Sequence, residues 1–542
     1  MRRAFILTLA LFLISPLVPA AAFAHGFGQS YDLPLPLWLY LYGAGAAVLV
    51  SFVPVVLFAG GKGGEDAPYQ YPRLNLLRIE SLRAVLAGRA MLLGLRLLSV
   101  GLFLLVVLTG LFGRQVSGSN FAPTFVWIIW WVGFGFFTAF LGSLWPIVNP
   151  WKVLFEWAEA LVRRLGLGGG LEIRELHPVS WGVWPAVALY AVFVWVENVF
   201  WGSPTPVNIA VLALTYSVLT WGGMALYGKE TWLREGEVFS VFFGLLARFA
   251  PTEARVTDSK LCRECSGACG GVEKGCVNCY ECFAKAAPED RKLNLRPPAV
   301  GLVRPEPVPP GGVFFVILVL AGVAFDGLLE TPLWADFRQA TSMPQTLGLF
   351  ILPLVFLAAY LGFVKLSQRF GGGRGQLAPL AAAYVYSLVP IAIAYQVAHY
   401  YTLLLVQGQG IISHVSDPFG WGWNLFGTGS FTINPAVVGA TFVWYSQVAL
   451  IVAGHVIAVY LAHLVALRLF GDLERALRSQ LPMLALMILY TVFSLWIISQ
   501  PIVVNEEATP LEPVPIGEEA PSEPAPPENL REPPMPDVPR PG

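Results

Sequence analysis

Long apolar stretches recur along this chain, and they limit what it can fold into more than any other feature. They are continuous, without the alternation of apolar and polar residues that a half-exposed strand would show. They lie near residues 35–59, 90–113, 123–147, 179–201, 207–227, 312–333, 344–366, 381–406, 437–467 and 481–500. Backbone groups inside lipid must bond within the protein, so continuous apolar runs form helices there. The sequence therefore predicts an all-α, polytopic membrane protein with about ten transmembrane helices.

The composition fits the same class. Of the 542 residues, 56% are hydrophobic and only 13% are charged, whereas soluble domains carry about 25% charged residues. The formal net charge is −1, and no basic stripe with interleaved aromatic residues occurs, which argues against a nucleic-acid partner. Membrane lipid is the predicted surrounding, and no pattern identifies a protein partner.

The N-terminus has the layout of a secretory signal. Arg2 and Arg3 form a basic start, residues 4–17 form a short apolar core, and Ala22-Phe23-Ala24 is a small-x-small cleavage site. Residues 1–24 are therefore predicted to be a cleaved signal peptide, with residues 25–500 as the transmembrane domain. An uncleaved first helix is the alternative.

Lysine and arginine are concentrated in alternate connections between the predicted helices. Positive residues mark cytoplasmic loops, so the pattern predicts an inner (plasma) membrane protein whose mature N-terminus and C-terminal tail are extracytoplasmic. The predicted cytoplasmic connections hold a dense basic set within residues 229–310, together with Lys62, Arg73, Arg78, Arg83, Arg89, Lys152, Arg163, Arg164, Arg174, Lys365, Arg369, Arg374, Arg468, Arg475 and Arg478. The outer loops keep only Arg114 and Arg338.

Two segments are predicted to lie outside the bundle. Residues 151–165 alternate aromatic and charged side chains at helical spacing, which favours an amphipathic helix on the cytoplasmic face of the membrane. Residues 501–542 are acidic and rich in proline, with too few apolar residues to fold. We expect a disordered extracytoplasmic tail there.

The cysteines form one cluster in the large cytoplasmic loop, residues 229–310. The six are Cys262, Cys265, Cys269, Cys276, Cys279 and Cys282. Thiols in the cytoplasm stay reduced, so metal binding is expected there rather than a disulfide framework.

The spacing leaves the metal open. Paired C-x2-C knuckles, Cys262/Cys265 and Cys279/Cys282, could supply the four thiolates of a structural zinc site. The run Cys276, Cys279, Cys282 has the spacing of a ferredoxin loop, although Ala286-Ala287-Pro288 lacks the fourth cysteine of that pattern. Zinc is the leading prediction, an iron–sulfur cluster is the alternative, and a redox or disulfide role stays open.

Ionisable residues inside the bilayer are functional candidates. Counted from the helix ends at about 1.5 Å per residue, the candidates fall in the outer third of the membrane or in outer loops. They are Glu197, Asp326, Glu330 and His399 in helices, and Asp336, His414 and Asp417 in loops. Such groups could hold a catalytic metal ion on the extracytoplasmic side. Local pairing of each residue is the plainer alternative.

His25 would become the first residue after cleavage. An N-terminal histidine offers an amine and an imidazole, which together can chelate one copper ion. A chance cleavage position explains it equally well.

Several segments resemble a family of bacterial membrane proteins labelled fenitrothion hydrolase. They are His25-Gly26-Phe27-Gly28 with DLPLPLWLY, Asn149-Pro150-Trp151, WLREGEVFSVFFGLLARFAP at 232–251, SLVPIAIAYQVAHYY at 387–401, SDPFGWGWNLFGT at 416–428, GHVIAVYLAH at 454–463 and SQLPMLALMILYT at 479–491. The resemblance implies hydrolysis of an aryl phosphorothioate ester. The cysteine segment is an insertion relative to that family.

Two functions from different classes follow. The first is a metal-assisted hydrolase of organophosphorus esters acting at the extracytoplasmic side. Its candidate catalytic residues are Asp326, His399, His414 and Asp417, with His25 as a metal ligand. The second is a proton- or metal-coupled transporter that uses Glu197, Asp326, Glu330 and His399. A structural or electron-relay subunit served by the cysteine cluster is a third hypothesis.

Overall fold

The computed structural model describes residues 35–59, 71–166, 170–171, 181–264, 276–303, 308–373 and 376–500. Within them, nine helices are long and apolar enough to cross a membrane: Leu37–Leu57, Glu80–Phe112, Phe121–Phe140, Pro206–Tyr227, Pro310–Leu329, Gln345–Phe370, Leu377–Ser416, Ala440–Phe470 and Leu473–Ile498. The predicted all-α, polytopic fold is confirmed. The predicted signal peptide, His25 and the acidic tail lie outside the described residues.

The helices are numbered here in chain order. They are α1 Leu37–Ala59, α2 Glu80–Leu86, α3 Arg89–Phe112, α4 Phe121–Phe140, α5 Trp145–Val148, α6 Pro150–Arg164, α7 Trp184–Asn198, α8 Pro206–Tyr227, α9 Lys229–Glu235, α10 Val238–Phe249, α11 Ser259–Glu264, α12 Tyr280–Lys285, α13 Pro310–Leu329, α14 Pro332–Thr341, α15 Gln345–Phe370, α16 Leu377–Ser416, α17 Ala440–Phe470 and α18 Leu473–Ile498. Short 3-10 turns occur at Leu76–Arg78, Ser117–Ser119, Val300–Leu302 and Pro435–Val437.

Two of the long helices are irregular. The central part of α4, Thr124–Phe134, is π-helical. The π-helix is rare in proteins, and where it occurs it often lies at a functional site. Helix α16 changes to 3-10 geometry at Val385–Leu388 and again at Gln407–Gly410. Pro390 follows the first change directly, and its missing N–H removes one hydrogen bond of the α-helical ladder there.

Helix α7 carries one of the ten predicted spans but has only 15 residues. At 1.5 Å per residue it is about 22 Å long, which is less than the roughly 30 Å hydrocarbon core of a bilayer. It therefore falls short of the membrane-length helices, and its last turn ends inside the bundle's polar cluster described below.

Helix α6 covers the segment expected to be amphipathic. It begins with Pro150, and the Asn149 side chain caps it by accepting a hydrogen bond from the Lys152 N–H (3.1 Å). The indole of Trp151 donates to the Ser217 hydroxyl of α8 (2.8 Å). The apolar face of α6 therefore packs on the bundle.

Helix α10 is an element that the search for spanning stretches did not find. Its 12 residues make it about 18 Å long, too short to span, and they lie inside the segment predicted as a cytoplasmic loop. The helix is nevertheless buried, because Phe239 and Phe242 pack against Trp130, Trp131 and neighbouring rings of the bundle. Part of the predicted loop is therefore core.

A small antiparallel sheet sits at one end of the bundle. Its strands are β1 Leu74–Asn75, β2 Thr252–Val256, β3 Cys276–Val277 and β4 Arg291–Leu295, in the order β1-β4-β2-β3. We call this sheet, together with α11 and α12, the cysteine module. The register pairs Val256 with Cys276 and Thr252 with Leu295. Strand β2 follows α10 almost directly, so the module is joined to the buried helix.

Candidate functional sites

The bundle holds a chain of hydrogen-bonded polar side chains from four helices. Nε2 of His399 (α16) lies 2.8 Å from Oδ2 of Asp326 (α13). The same oxygen accepts a hydrogen bond from the Tyr400 hydroxyl. That hydroxyl also lies 3.5 Å from Oε1 of Glu197 (α7). The Trp131 indole of α4 donates to the same Glu197 oxygen at 2.6 Å. We call these five residues the bundle cluster.

The positions of these residues follow from their helices. Asp326 lies in the last turn of α13, and Glu197 lies in the last turn of α7. The side chains of Asp326 and His399 are 23% and 18% exposed, so the pair is partly open. Among the described residues, no lysine or arginine forms an ion pair with either carboxylate of the cluster.

A glycine lets a further tyrosine approach the cluster. A Cβ atom on Gly327 would lie only 2.6 Å from the Tyr395 hydroxyl and 3.7 Å from Cε1 of His399. The rings of Tyr395 and His399 are parallel, with centroids 6.1 Å apart, one helical turn from each other on α16. The cluster therefore continues along α16 to Tyr395, whose hydroxyl is buried without a hydrogen-bond partner among the described residues.

Asp326 and His399 were predicted to be catalytic, and Glu197 was predicted to be part of a transport path. Asp326, His399 and Glu197 are brought together. Tyr400 and Trp131 were missed, because aromatic residues are common in membrane helices and give no separate signal. The position of Tyr400 directly after His399 is the only hint that the sequence offers.

The other predicted catalytic residues have different contacts. Nε2 of His414 lies 3.2 Å from the Gly118 carbonyl oxygen. Asp417 accepts hydrogen bonds from the backbone of Trp421 (3.0 Å) and Gly422 (2.6 Å). His414 therefore contacts the turn before α4, and Asp417 organises the loop after α16. None of these contacts involves Asp326 or His399.

Two further predicted residues lie on the surface. Glu330 and Asp336 are exposed, just after the end of α13 and in α14. His25, the proposed copper ligand, lies outside the described residues.

The cysteine module brings three sulfur atoms together. The Sγ atoms of Cys262, Cys276 and Cys282 all lie within 4.8 Å of one another, and all three residues are buried. Cys279 packs against this group. The group could hold a metal ion. Cys265 and Cys269 lie outside the described residues.

The structure also differs from the expectation of six reduced thiols, because Cys262 and Cys276 form a disulfide. The register of the sheet explains how. It sets Cys276 opposite Val256, and α11 then brings Cys262 to a Cα–Cα distance of 5.7 Å from Cys276. That separation is usual for disulfides. The predicted cytoplasmic setting gave no sign of this geometry.

The sheet encloses a second polar network that sequence analysis did not predict. Glu253 of β2 is 1% exposed and receives hydrogen bonds from Tyr71 (2.6 Å), Arg73 (2.7 Å), Asn294 (3.0 Å) and Arg296 (3.1 Å). Burial by itself would raise the pKa of the Glu253 carboxyl. The hydrogen bonds and the two guanidinium groups outweigh burial and hold the pKa below its ordinary value.

Arg296 connects this network to α10. Its guanidinium group donates to the carbonyl oxygens of Ala247 (3.2 Å), Arg248 (3.1 Å) and Ala250 (3.1 Å), where α10 ends. A cation at a helix C-terminus is favourable because carbonyl groups there lack partners. The module is therefore fixed to the buried helix by a charge–helix contact.

Helix α10 also separates two cavities. One, of about 440 Å³, is apolar and lined by aromatic residues that include Trp130, Trp151 and Phe239. The other, of about 540 Å³, lies between the bundle and the module, and its wall includes Lys152, Arg248 and residues 277–281. Neither cavity has Asp326 or His399 in its wall.

Comparison of this chain with protein-family models, with curated proteins and with solved structures found no match. The fold defines the chain as a polytopic helical membrane protein. The bundle cluster and the cysteine module are its two candidate functional sites.

Proposed function

We propose that the chain is a proton-coupled transporter of the plasma membrane, with the bundle cluster as its proton-binding site. The observation that carries this proposal is the sharing of the Asp326 carboxylate between the His399 imidazole and the Tyr400 hydroxyl, inside a bundle of membrane-length helices. Ionisable groups at such positions are costly, and they mark ion and proton pathways. A carboxylate next to an imidazole can pass a proton without a metal ion.

Among the residues that the structure describes, no lysine or arginine pairs with Asp326 or Glu197, and this supports the same function. Asp326 is held instead by an imidazole and a phenol, neither of which carries a permanent charge. Asp326 and His399 are partly exposed, and Asp326 lies near the end of α13 that is away from the module. On the predicted topology that end is extracytoplasmic.

Two buried histidines extend the polar groups toward the module. His455 lies near the midpoint of α17, and His463 lies eight residues further along that helix, about 12 Å at 1.5 Å per residue. Their Nδ1 atoms contact the Ile451 carbonyl oxygen (2.8 Å) and the Gln480 Oε1 (2.9 Å). Both Nε2 atoms are buried without a hydrogen-bond partner among the described residues. They are polar groups at successive depths of the bundle.

The proposal is tested by adsorbing proteoliposomes to a capacitive membrane and applying a pH jump. Wild-type protein should give a transient current as protons enter the bundle, and Asp326→Asn should reduce that current to the level of empty liposomes. Asp417→Asn is the matched control, because Asp417 is a carboxylate outside the cluster, and it should keep the wild-type current. Equal currents from wild type and Asp326→Asn would refute the proposal.

Hydrolysis of an organophosphorus ester, which the family resemblance implies, is the second proposal. The Asp326–His399 contact favours it, because a carboxylate beside an imidazole orients a general base. The detergent-solubilised protein is assayed with a chromogenic aryl phosphotriester. A hydrolase should turn over this substrate and lose about 100-fold or more of its rate in His399→Gln, whereas a transporter should show no turnover.

For the cysteine module we propose a mononuclear zinc ion. One ion brings its ligand atoms into mutual contact, whereas the irons of a cluster hold their cysteines further apart. The Cys282 sulfur lies within 4.8 Å of both sulfurs of the Cys262–Cys276 pair, and this spacing favours zinc over an iron–sulfur cluster. Metal analysis of protein purified under reducing, anaerobic conditions should find one zinc per chain. Iron with a visible-light chromophore would contradict this assignment.

A further inference from the structure

The sulfur atoms of the cysteine module can serve two different bonds. Cys262 and Cys276 form a disulfide, and the same two sulfurs lie within 4.8 Å of the Cys282 sulfur in a group able to hold a metal ion. Only a thiolate binds metal, so a sulfur engaged in a disulfide is lost as a ligand. We propose that the module is an oxidant-sensitive switch, in which a hydroperoxide converts a zinc–thiolate site into the Cys262–Cys276 disulfide and releases the ion. This inference rests on the zinc proposed above.

The geometry allows both states on one backbone. With a Zn–S distance near 2.3 Å, tetrahedral ligands lie about 3.8 Å from one another, so three sulfurs within 4.8 Å need only small side-chain movements to bind zinc. The Cα–Cα distance of 5.7 Å between Cys262 and Cys276 also suits the disulfide. Cys282 remains beside the disulfide as a ligand for the return reaction, and Cys279 packs against the same group.

The chemistry balances with a hydroperoxide as the oxidant. One zinc-bound thiolate attacks the peroxide, takes one oxygen and a proton to become a sulfenic acid, and releases an alcohol (or water from hydrogen peroxide) as the O–O bond breaks. The second thiolate attacks the sulfenic sulfur, the S–S bond forms, and water leaves after one more proton is taken up. Two sulfurs lose two electrons in total, the peroxide gains them, and the zinc ion leaves. A dithiol reductant reverses the change at sulfur by thiol–disulfide exchange.

The switch is in contact with the bundle. Cys276 begins β3, and the residues that follow it, 277–281, form part of the wall of the 540 Å³ cavity. The Tyr280 hydroxyl donates to the Ser143 carbonyl oxygen in the turn between α4 and α5 (2.9 Å). A change at Cys276 and Cys282 is therefore transmitted to one wall of the cavity and to the bundle behind it.

The test uses the full-length protein in nanodiscs, loaded with zinc under reducing conditions and then freed of reductant. Hydrogen peroxide should release one zinc ion per chain, detected with a chromogenic chelator. Two thiols should be lost at the same time, and peptide mapping should join Cys262 to Cys276. A dithiol reductant should restore zinc binding. Zinc that stays bound while peroxide is consumed, or a different pair of joined cysteines, would overturn the switch.

Two variants separate the parts of the inference. Cys282→Ser keeps both disulfide cysteines but removes a metal ligand, so its zinc affinity should fall more than the roughly 100-fold that loss of a supporting second-shell residue can cause, while peroxide still joins Cys262 to Cys276. Ser259→Ala, in the same helix as Cys262, is the matched control and should behave as wild type. No zinc in the reduced wild type would refute the zinc proposal itself. Zinc bound but insensitive to peroxide would refute only the switch.

The link to the bundle has its own measurement. Hydrogen exchange of the backbone amides of α5 and α10 should differ between the zinc-bound and disulfide forms. Tyr280→Phe removes the donor to Ser143 and should reduce that difference while leaving zinc release unchanged. Identical exchange in the two wild-type forms would show that the switch does not act on the bundle.

Discussion

Glu253 in the cysteine module and Asp326 in the helical bundle are both carboxylates that accept several hydrogen bonds, but the charges around them differ. Glu253 is fully buried between the guanidinium groups of Arg73 and Arg296. Asp326 is partly exposed, and its closest partners are an imidazole and a phenol. The first arrangement fixes one charge state and one geometry. The second contains no permanent cation among the described residues.

The largest effect is expected when the fixed network is broken. Glu253→Gln leaves the fully buried Arg296 without its counter-charge, and removal of one partner of a buried pair costs about 3–5 kcal/mol. The free energy of unfolding of the module, followed by proteolysis between β2 and β4, should fall by that amount. Glu474→Gln, in an exposed pair with Arg478, is the control and should change stability by less than about 0.5 kcal/mol.

A double variant shows whether the loss comes from the stranded charge. Glu253→Gln combined with Arg296→Met removes both charges and should recover part of the stability lost in the single variant. If instead the stability loss of the double variant exceeds the sum of the losses of the two single variants, the contacts of Arg296 with the end of α10 matter more than its pairing with Glu253.

Glu237 provides a third case, a buried carboxylate with many donors and no ion-pair partner among the described residues. It caps the start of α10 by accepting hydrogen bonds from the backbone N–H groups of Phe239 (3.1 Å) and Ser240 (2.8 Å). It also accepts hydrogen bonds from the side chains of Asn149 (3.0 Å) and Tyr216 (2.5 Å). Glu237→Gln brings an amide N–H against these donors, and we expect a loss of about 2–3 kcal/mol, measured by thermal unfolding. A loss below that of the Glu474→Gln control would mean that donors alone do not stabilise a buried carboxylate here.

Sequence reasoning reached the bundle more easily than the module, for a physical reason. The number of consecutive apolar residues decides whether a helix can span a membrane. For α3 and α17 this number follows directly from the sequence. Helix α10 is apolar but too short for this criterion, so its burial depends on rings contributed by α4 and α7. The network of Glu253 joins residues about 180 positions apart in the chain, and no local pattern indicates such pairing.

The two sites show the same limit. Asp326 and His399 were found because a charged or titratable group in an apolar stretch is conspicuous, whereas Trp131 and Tyr400 resemble any aromatic residue of a membrane helix. His414 and Asp417 were predicted from their place in outer loops, yet His414 contacts the Gly118 carbonyl oxygen and Asp417 contacts the backbone after α16. The cysteine spacing indicated a metal site, but the pairing of Cys262 with Cys276 depends on the register of the sheet.

A smaller effect on stability is expected at Asp326. Asp326→Asn keeps a group that can bond to Tyr400 and His399, and no buried cation is left without its counter-charge. The free energy of unfolding should therefore change by no more than about 1 kcal/mol, although the pH-jump current is lost. Thermal unfolding of Asp326→Asn beside Glu253→Gln checks this. A loss comparable to that of Glu253→Gln would mean that the bundle cluster is a structural network as well.

The smallest effect is the loss of module stability in acid, because this loss is absent at neutral pH. The pKa of Glu253 is lower in the folded protein than its ordinary value of 4.5, so the unfolded chain binds this proton more readily. The stability that Glu253 contributes is complete above pH 4.5 and is lost as the pH falls through the lower, folded-state pKa. The protection factors of the β2 and β4 amides, which correct for the intrinsic pH dependence of exchange, should therefore fall below pH 4.5 in the wild type. The Glu253→Gln variant should lack this part of the pH dependence, since its amide does not titrate. If both proteins respond equally to acid, another group governs the acid response, and the Glu253 network does not set the acid stability of the module.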